Sequence, residues 1–572
     1  MSEPLLRAER LWLREHQTFL VLSIVIGILA GLSAVLFSVA IEQASYRLFG
    51  LAPSGLRLLA VPPLMSLLTG VLLVKVFPDV RGSGVPQTKA AYQLSGGVIP
   101  GRVPVGKFIT GVLCIGSGHS LGREGPSVQI GAGVASMIGR SMQLPPGRVR
   151  DLVPVGAAGA LAAAFNTPVA AVLFALEEII GDMNATLLGS AVIASVASVV
   201  VQRSILGNEP LFHVPAYDLV HPAELAAYAV LGVLGGVVSL LFCKGLLRSR
   251  ALFARLPAST RMLQPAMGGL VIGAMLVYWP SLMGVGYEYV DQALNGEMLL
   301  GTLAALCVLK LVATTVSYAS GNAGGIFAPS LYIGAMAGGA IGILVNTLAP
   351  FPTAGPGAYA LVGMGTLFAG IIRAPMTSVF MIFEITQDYQ ILVPLMLANM
   401  LSFAISRRYQ PEPVYRALLR QDGVHLPTAA SRALHPTRTA RHVMQTDVPF
   451  VPPDASIGEA FELAGAHEAP AVLMGSRDRL VGRITRERLS QAVESGRAAE
   501  PAAALVEEAP AHVHPDHPID TVLDRLDQSG GLLPVVSRSD ARRVEGVVTP
   551  DSIVRSVDRR SRTAQRPGRP DP

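Results

Sequence analysis

Three short stretches combine glycines with a closing proline: Gly-Ser-Gly-Val-Pro at 82–86, Gly-Arg-Glu-Gly-Pro at 122–126 and Gly-Gly-Ile-Phe-Ala-Pro at 324–329. Each leads into a run of helical length. Proline suits the first helical turn, where its missing N–H costs nothing. Glycine lets backbone N–H groups approach a ligand closely. The free N–H groups and the positive end of the helix dipole then attract an anion. No full positive charge is needed, so binding stays weak enough for release. The competing reading is close helix packing through small residues. Three such stretches, two of them in a duplicated pattern, favour anion chemistry over packing alone.

Glu124 stands inside the second stretch, between Arg123 and Gly125. A carboxylate is itself an anion and can occupy an anion site at a helix start. Protonation discharges it and frees the site, so one residue can serve as gate and proton carrier. The plainer alternative is a carboxylate paired with Arg123. Glu177 and Glu178 follow the apolar run 169–176. Adjacent helical residues point about 100° apart. At most one faces the interior, while the other reaches water or caps a neighbour. A buried one is a proton-relay candidate; the alternative is a solvated pair at the membrane edge.

These residues must be positioned by membrane helices. Of 572 residues, 51% are apolar and only 15% charged, against about 25% charged in soluble domains. The mean hydropathy is +0.48. An ordinary soluble enzyme is excluded. Residues 20–41 carry no charge, enough to span a bilayer. Arg7, Arg10 and Arg14 precede this run, which places the N-terminus in the cytoplasm. The run is too long for a signal peptide and reads as a retained helix. Residues 225–243 are also uncharged, and 311–372 contain no Asp, Glu, Lys or Arg. Breaks are expected at Pro62-Pro63, Pro78, Pro168 and Pro375 as well as at the three stretches. Helices that stop inside a membrane must line a protein-buried or wet cavity. That pattern points to a transporter.

Two repeats are visible. Gly122, Pro126, Ser127, Ile130, Gly131 and Ala132 recur 203 residues later, at 325, 329, 330, 333, 334 and 335. Gly156, Pro168 and Glu177 recur 207 residues later as Gly363, Pro375 and Glu384. Near-equal offsets argue for duplication of a whole half. Whether the halves are inverted is left open by these residues. In the copy Glu384 is followed by Ile385, so the place of Glu178 is not acidic there. Beyond Tyr415 the composition turns polar, and a soluble α/β tail of two units follows. Pro453-Asp454 matches Pro515-Asp516, and Gly482-Arg-Ile-Thr485 matches Gly546-Val-Val-Thr549.

Other classes find no support. The net charge is only +5, and no basic stripe with interleaved aromatics suggests nucleic acid. Cys114, Cys243 and Cys307 lie far apart in apolar runs, suggesting neither disulfides nor metal. His512, His514 and His517 lack metal-site spacing and read as a surface loop. No catalytic triad or phosphate loop appears. A metal-ion channel would predict acidic pore segments, whereas glycine-rich helix starts are found.

The three stretches, in this order and spacing, resemble the signature motifs of the CLC chloride channel and transporter family. The resemblance covers roughly 18–420. It implies an α-helical polytopic membrane fold with an inverted repeat of broken helices, a homodimer with one pore per subunit, and no cofactor for transport. By position, Ser83 and Gly84 resemble the serine loop that contacts the central anion. Ile326 and Phe327 resemble its backbone N–H donors, and Tyr415 the tyrosine that completes the site. Glu124 resembles the external gating glutamate, and Glu178 the internal proton glutamate of the exchanger branch. Lys107 and Arg123 match basic positions near the pore, with a purely structural role as the alternative. Serine at 83 and an intact Gly-Arg-Glu-Gly-Pro motif set the chain apart from the nitrate and fluoride branches. The resemblance thus implies proton/chloride antiport in a cell inner membrane, both termini cytoplasmic. The alternative is a passive chloride channel with the same pore.

The tail resembles a pair of cystathionine β-synthase (CBS) domains, through the strand ends at Thr485 and Thr549. Such pairs often bind adenine nucleotides, which would place Thr485, Thr549 and Asp551 at the ligand. The usual ribose-binding aspartate is replaced by Arg488 and Ser552, so a structural or dimer-bracing module is the alternative. The expected domains are a cytoplasmic segment 1–17, a transport domain 18–420, a linker 421–436, CBS units 437–498 and 499–560, and a disordered tail 561–572.

Overall fold

The computed structural model describes residues 3–555 except 182–184, 209–210, 213, 216–219, 388, 428–438, 468, 509–510, 518, 539 and 554. The expected linker beyond 427 and the polar tail 561–572 lie outside the described residues. The chain divides into two units, Met1–Leu426 and Pro427–Pro572.

The first unit is helical. Its elements are α1 (Glu3–Phe49), α2 (Gly55–Lys75), α3 (Val85–Leu94), α4 (Arg102–Gly116), α5 (Glu124–Ser141), α6 (Pro146–Phe165), α7 (Pro168–Phe174) and α8 (Ala185–Leu206). The second set is α9 (Glu224–Ala254), α10 (Gln264–Tyr278), α11 (Tyr287–Leu294), α12 (Leu300–Ala319), α13 (Phe327–Leu348), α14 (Pro356–Ile372), α15 (Pro375–Thr386) and α16 (Leu392–Tyr409). A short α17 (Val414–Gln421) follows. Six helices among the described residues are long and apolar enough to cross a membrane. Others, such as α3, α7 and α11, are far shorter, as the glycines and prolines at their starts require.

One expected break is absent. Pro62 and Pro63 lie inside α2, which runs through them. Proline removes the bonds to the carbonyls four residues back, here those of Leu58 and Leu59. These carbonyls face Gly273 of α10, where an added Cβ would lie 3.0 and 2.5 Å from them. A neighbouring helix with no side chain at the contact thus shelters the freed groups.

The duplication is carried by packing. Gly131 of α5 and Gly156 of α6 touch so closely that a Cβ on either would stand 2.4 or 2.3 Å from the other's carbonyl oxygen. Gly334 of α13 and Gly363 of α14 repeat this at 2.4 and 2.3 Å. The two halves meet where Gly122 N donates to Gly325 O at 2.7 Å and Gly325 N donates back to Gly122 O at 2.8 Å. Equivalent residues exchanging equivalent bonds is the mark of a local pseudo-twofold relation.

Glu177 and Glu384 show the same exchange. Glu177 lies in a π-helical turn that extends α7 over Ala175–Ile180. Its carboxylate accepts from Met376 N at 3.1 Å and Thr377 N at 2.8 Å, at the start of α15. Glu384, on α15, accepts from Val169 N at 2.9 Å and Ala170 N at 2.8 Å, at the start of α7. Each half therefore caps the other's broken helix, satisfying N–H groups that lipid cannot. Replacing Glu384 with alanine should cost about 1 kcal/mol, the usual value of a lost cap. Replacing both glutamates should cost about twice that. Thermal unfolding in detergent checks it, and unchanged midpoints would refute the capping role.

The second unit is α/β. It contains α18 (Ala440–Val443), β1 (Phe450–Val451), α19 (Ile457–Ala466), β2 (Ala471–Ser476), β3 (Arg479–Thr485), α20 (Arg486–Glu494), β4 (Glu507–Glu508), α21 (Ile519–Gln528), β5 (Leu533–Val536) and β6 (Val544–Val548). One sheet runs β1-β2-β3-β4; β5 and β6 form a second, antiparallel pair. Packing crosses the division expected at 499. Ala502 joins the first core and β4 extends its sheet. Ala440 and Val443 join the second core. Gln445 bridges to Val547 of β6.

Candidate anion site

The three glycine breaks converge. Ser83 sits between Gly82 and Gly84, which hold φ of +93° and +106°. Those values favour glycine. Lys107 of α4, fully buried, fixes this loop by donating to Val80 O at 2.5 Å and Gly82 O at 2.8 Å. Lys107 thus clamps the loop that carries Ser83. The Gly84 N–H donates to Gln87 Oε1 at 2.9 Å. The glycine allows close approach, since an added Cβ would lie 2.5 Å from Gly125 O.

Ser83 and Tyr415 are brought together although 332 positions apart. Both are fully buried. The Tyr415 hydroxyl, near the start of α17, faces the Ser83 hydroxyl. Yet neither oxygen completes a hydrogen bond among the described residues. Two buried unpartnered hydroxyls are costly unless a further group binds them. Gly125, at the start of α5, lies against Ser83; a Cβ there would stand 2.5 Å from its Oγ. Ile326 caps and Phe327 begins α13, whose first-turn N–H groups have no partner within the helix. Phe327 is held in place by Phe165, Phe174 and Phe368, at ring distances of 5.0, 5.6 and 4.4 Å.

Glu124 is the first residue of α5 and fully buried. Its Oε1 accepts from Tyr287 OH at 2.6 Å, while Oε2 completes no hydrogen bond of good geometry among the described residues. The backbone N–H groups of Glu124 itself and of Ala328, in α13, face the carboxylate. Arg123 pairs with Glu42 Oε1 at 3.2 Å and stays within electrostatic reach of Glu124. Tyr415 is within electrostatic reach of both Glu124 and Glu178. Glu178 is buried and paired with Lys89 Nζ at 2.8 Å. Glu177 and Glu178 thus divide as helical geometry requires, one capping a neighbour and one facing inward.

Residues 65–407 match the family model described as voltage gated chloride channel. The chain belongs to the CLC family. Residues 440–495 and 502–559 match the CBS domain. The H(+)/Cl(-) exchange transporter ClcA of Vibrio cholerae is 32% identical over 416 residues, covering 70% of this chain and 89% of the relative. That of Vibrio campbellii is 31% identical over the same shares. Among solved structures, a slow cyanobacterial Cl-/H+ antiporter superposes with a TM-score of 0.64 at 28% identity, covering 71% of this chain and 97% of its own. A eukaryotic CLC transporter, at 20% identity and TM-score 0.63, covers 94% of this chain and 98% of its own and shares the fold. The first unit is thus a multi-pass CLC transport domain, and the second a CBS pair.

Sequence reasoning missed three residues of this CLC site: Lys89, Tyr287 and Lys310. A signal existed for the last. Only five of the 45 basic residues are lysine, and Lys310 follows Lys107 at the 203-residue offset of the repeat. In the CBS pair, Thr485 precedes α20. Thr549 and Ser552 cap each other, with Ser552 N donating to Thr549 Oγ1 at 3.2 Å and Thr549 N to Ser552 Oγ at 3.1 Å. Asp551, between them, is exposed.

Proposed function

We propose that this protein exchanges chloride for protons across a cell inner membrane, with both termini cytoplasmic and two copies assembled as a dimer. One observation carries the anion reading: the Ser83 and Tyr415 hydroxyls face each other, buried and without a completed hydrogen bond among the described residues. Hydroxyl donors and the α13 N-terminus form a site for a small, weakly bound anion. Ile326 and Phe327 supply its backbone N–H groups. Glu124 acts as gate and proton carrier at one side, and Glu178 as proton acceptor at the other. Exchange is favoured over a passive channel by the second buried carboxylate and by the similarity to exchange transporters.

The deciding experiment uses protein in liposomes holding a chloride gradient, with external pH recorded. Uphill proton movement driven by chloride supports exchange. Chloride flux without protons makes the chain a channel, and no chloride flux refutes the substrate. Tyr415→Phe removes one donor and should weaken chloride binding roughly tenfold, the value of one hydrogen bond to a charged group. Calorimetry with chloride checks it; unchanged affinity would remove Tyr415 from the site.

For the CBS pair we propose bracing rather than nucleotide binding. The Thr549 hydroxyl is engaged by Ser552, which occupies the place where an aspartate would hold ribose. Micromolar binding of ATP or AMP in calorimetry would overturn this.

A further inference from the structure

The repeat gives each half a buried lysine clamp, but only one of them has been assigned work. Lys107 holds the carbonyls of Val80 and Gly82, just before Ser83. Lys310, fully buried on α12, holds those of Leu282 and Gly284 at 3.1 and 2.8 Å. Lysines 203 residues apart thus hold carbonyls 202 residues apart. The first clamp orders the loop carrying an anion-site hydroxyl. The second orders the loop that ends at Tyr287.

Tyr287 is held from several sides. Gly286, immediately before it, has φ of +79°. A Cβ there would stand 2.8 Å from the Tyr332 ring of α13. Lys310 Nζ lies over that same ring, 4.5 Å from its centroid. The Tyr332 hydroxyl reaches back to Ser281 O at 3.4 Å. The Tyr287 ring packs edge-on to Phe212 at 5.3 Å and lies under the Arg123 guanidinium at 5.6 Å. A side chain held this firmly presents its hydroxyl in one direction, and that hydroxyl donates to Glu124 Oε1 at 2.6 Å.

We propose that Tyr287 is a latch that holds the Glu124 carboxylate in its pore-blocking position, and that Lys310 is the positioning residue that sets this latch through the 282–286 loop. This rests on the reading of Glu124 as the gate. A phenol donates more strongly to a carboxylate than to a neutral carboxyl group. The latch therefore favours the closed, ionised gate and releases it on protonation. Opening is thereby tied to proton uptake, and leakage of anions past an ionised gate is suppressed.

The test compares Tyr287→Phe, Glu124→Gln and the double variant as full-length protein in liposomes, reading chloride turnover and protons moved per chloride. Tyr287→Phe should raise chloride turnover at neutral pH roughly tenfold, the equilibrium value of one charge-assisted hydrogen bond. It should also lower the protons moved per chloride. In the Glu124→Gln background the same substitution should have a far smaller effect, because the bond to a neutral amide is weaker and there is no charged gate to release. Lys310→Met should change turnover in the same direction by a smaller factor. If Lys310→Met does not fold, the Tyr287 comparison decides alone. Wild-type turnover in Tyr287→Phe, or an equal change in both backgrounds, overturns the latch while leaving the gate intact. Retained proton coupling in Glu124→Gln overturns the gate, and the latch with it.

Discussion

Glu124→Gln is expected to abolish proton movement while chloride continues to flow. Glutamine keeps the size of the side chain and can still accept from Tyr287. It has no titratable proton and no charge. A charged group at membrane depth costs about 2.5–3.5 kcal/mol on insertion scales, and such a residue is kept only where it has work to do. Here the carboxylate stands where the α5 and α13 N-termini meet, with one oxygen held by Tyr287 and the other facing backbone N–H groups of both helices. That is the place of an anion. An ionised carboxylate there excludes a passing anion, and a neutral amide does not. The expected record is a flat external pH trace during a chloride flux within about tenfold of wild type, because anion binding at helix N-termini does not depend on this side chain. A proton signal that persists would exclude Glu124 as the carrier. Chloride flux lost together with the protons would make Glu124 part of the fold rather than the gate.

Lys89→Met should be among the most destabilising single changes in the transport domain. Lys89 and Glu178 form an ion pair at 2.8 Å with side-chain exposures of 11% and 5%. Little water remains to solvate either charge alone. Removing one partner of a buried pair costs about 3–5 kcal/mol, whereas replacing both is often close to neutral. Lys89→Met should therefore unfold well below wild type in detergent, and Lys89→Met with Glu178→Gln should recover most of the loss. If the double variant is as unstable as the single, the pair is not the cause. Transport separates the roles further. Glu178→Gln should depress proton flux and leave chloride affinity unchanged, because Ser83 and Tyr415 do not depend on it. Loss of chloride binding in that variant would contradict a proton-only role.

The candidate site was legible to different depths. Ser83, Glu124 and the start of α13 lie in local motifs, where the residue types announce the backbone geometry. The cap that Gln87 gives the Gly84 amide, three residues back, is hidden beneath the Gly-Pro pattern. Lys107 was seen, but not what it held. Tyr287 carries no motif of its own. It matters only because Lys310 and Tyr332 fold its loop against Glu124, 163 residues away. Pro62-Pro63 looked like a break because proline cannot donate; the helix survives because Gly273 lets α10 pack against the freed carbonyls.

By itself the sequence determined the membrane character, the duplication, the two-unit α/β tail and the positions of the glycine breaks. These follow from composition, periodicity and short-range backbone preferences, which act over a few residues and repeat along the chain. Only the tertiary structure decided which groups meet. The exchange of caps between Glu177 and Glu384, the pairing of Lys89 with Glu178, and the facing hydroxyls of Ser83 and Tyr415 each join distant segments. Buried polar groups must find partners where lipid and packed side chains offer none. Which partner each finds is set by how the two halves close on each other, and no local pattern encodes that.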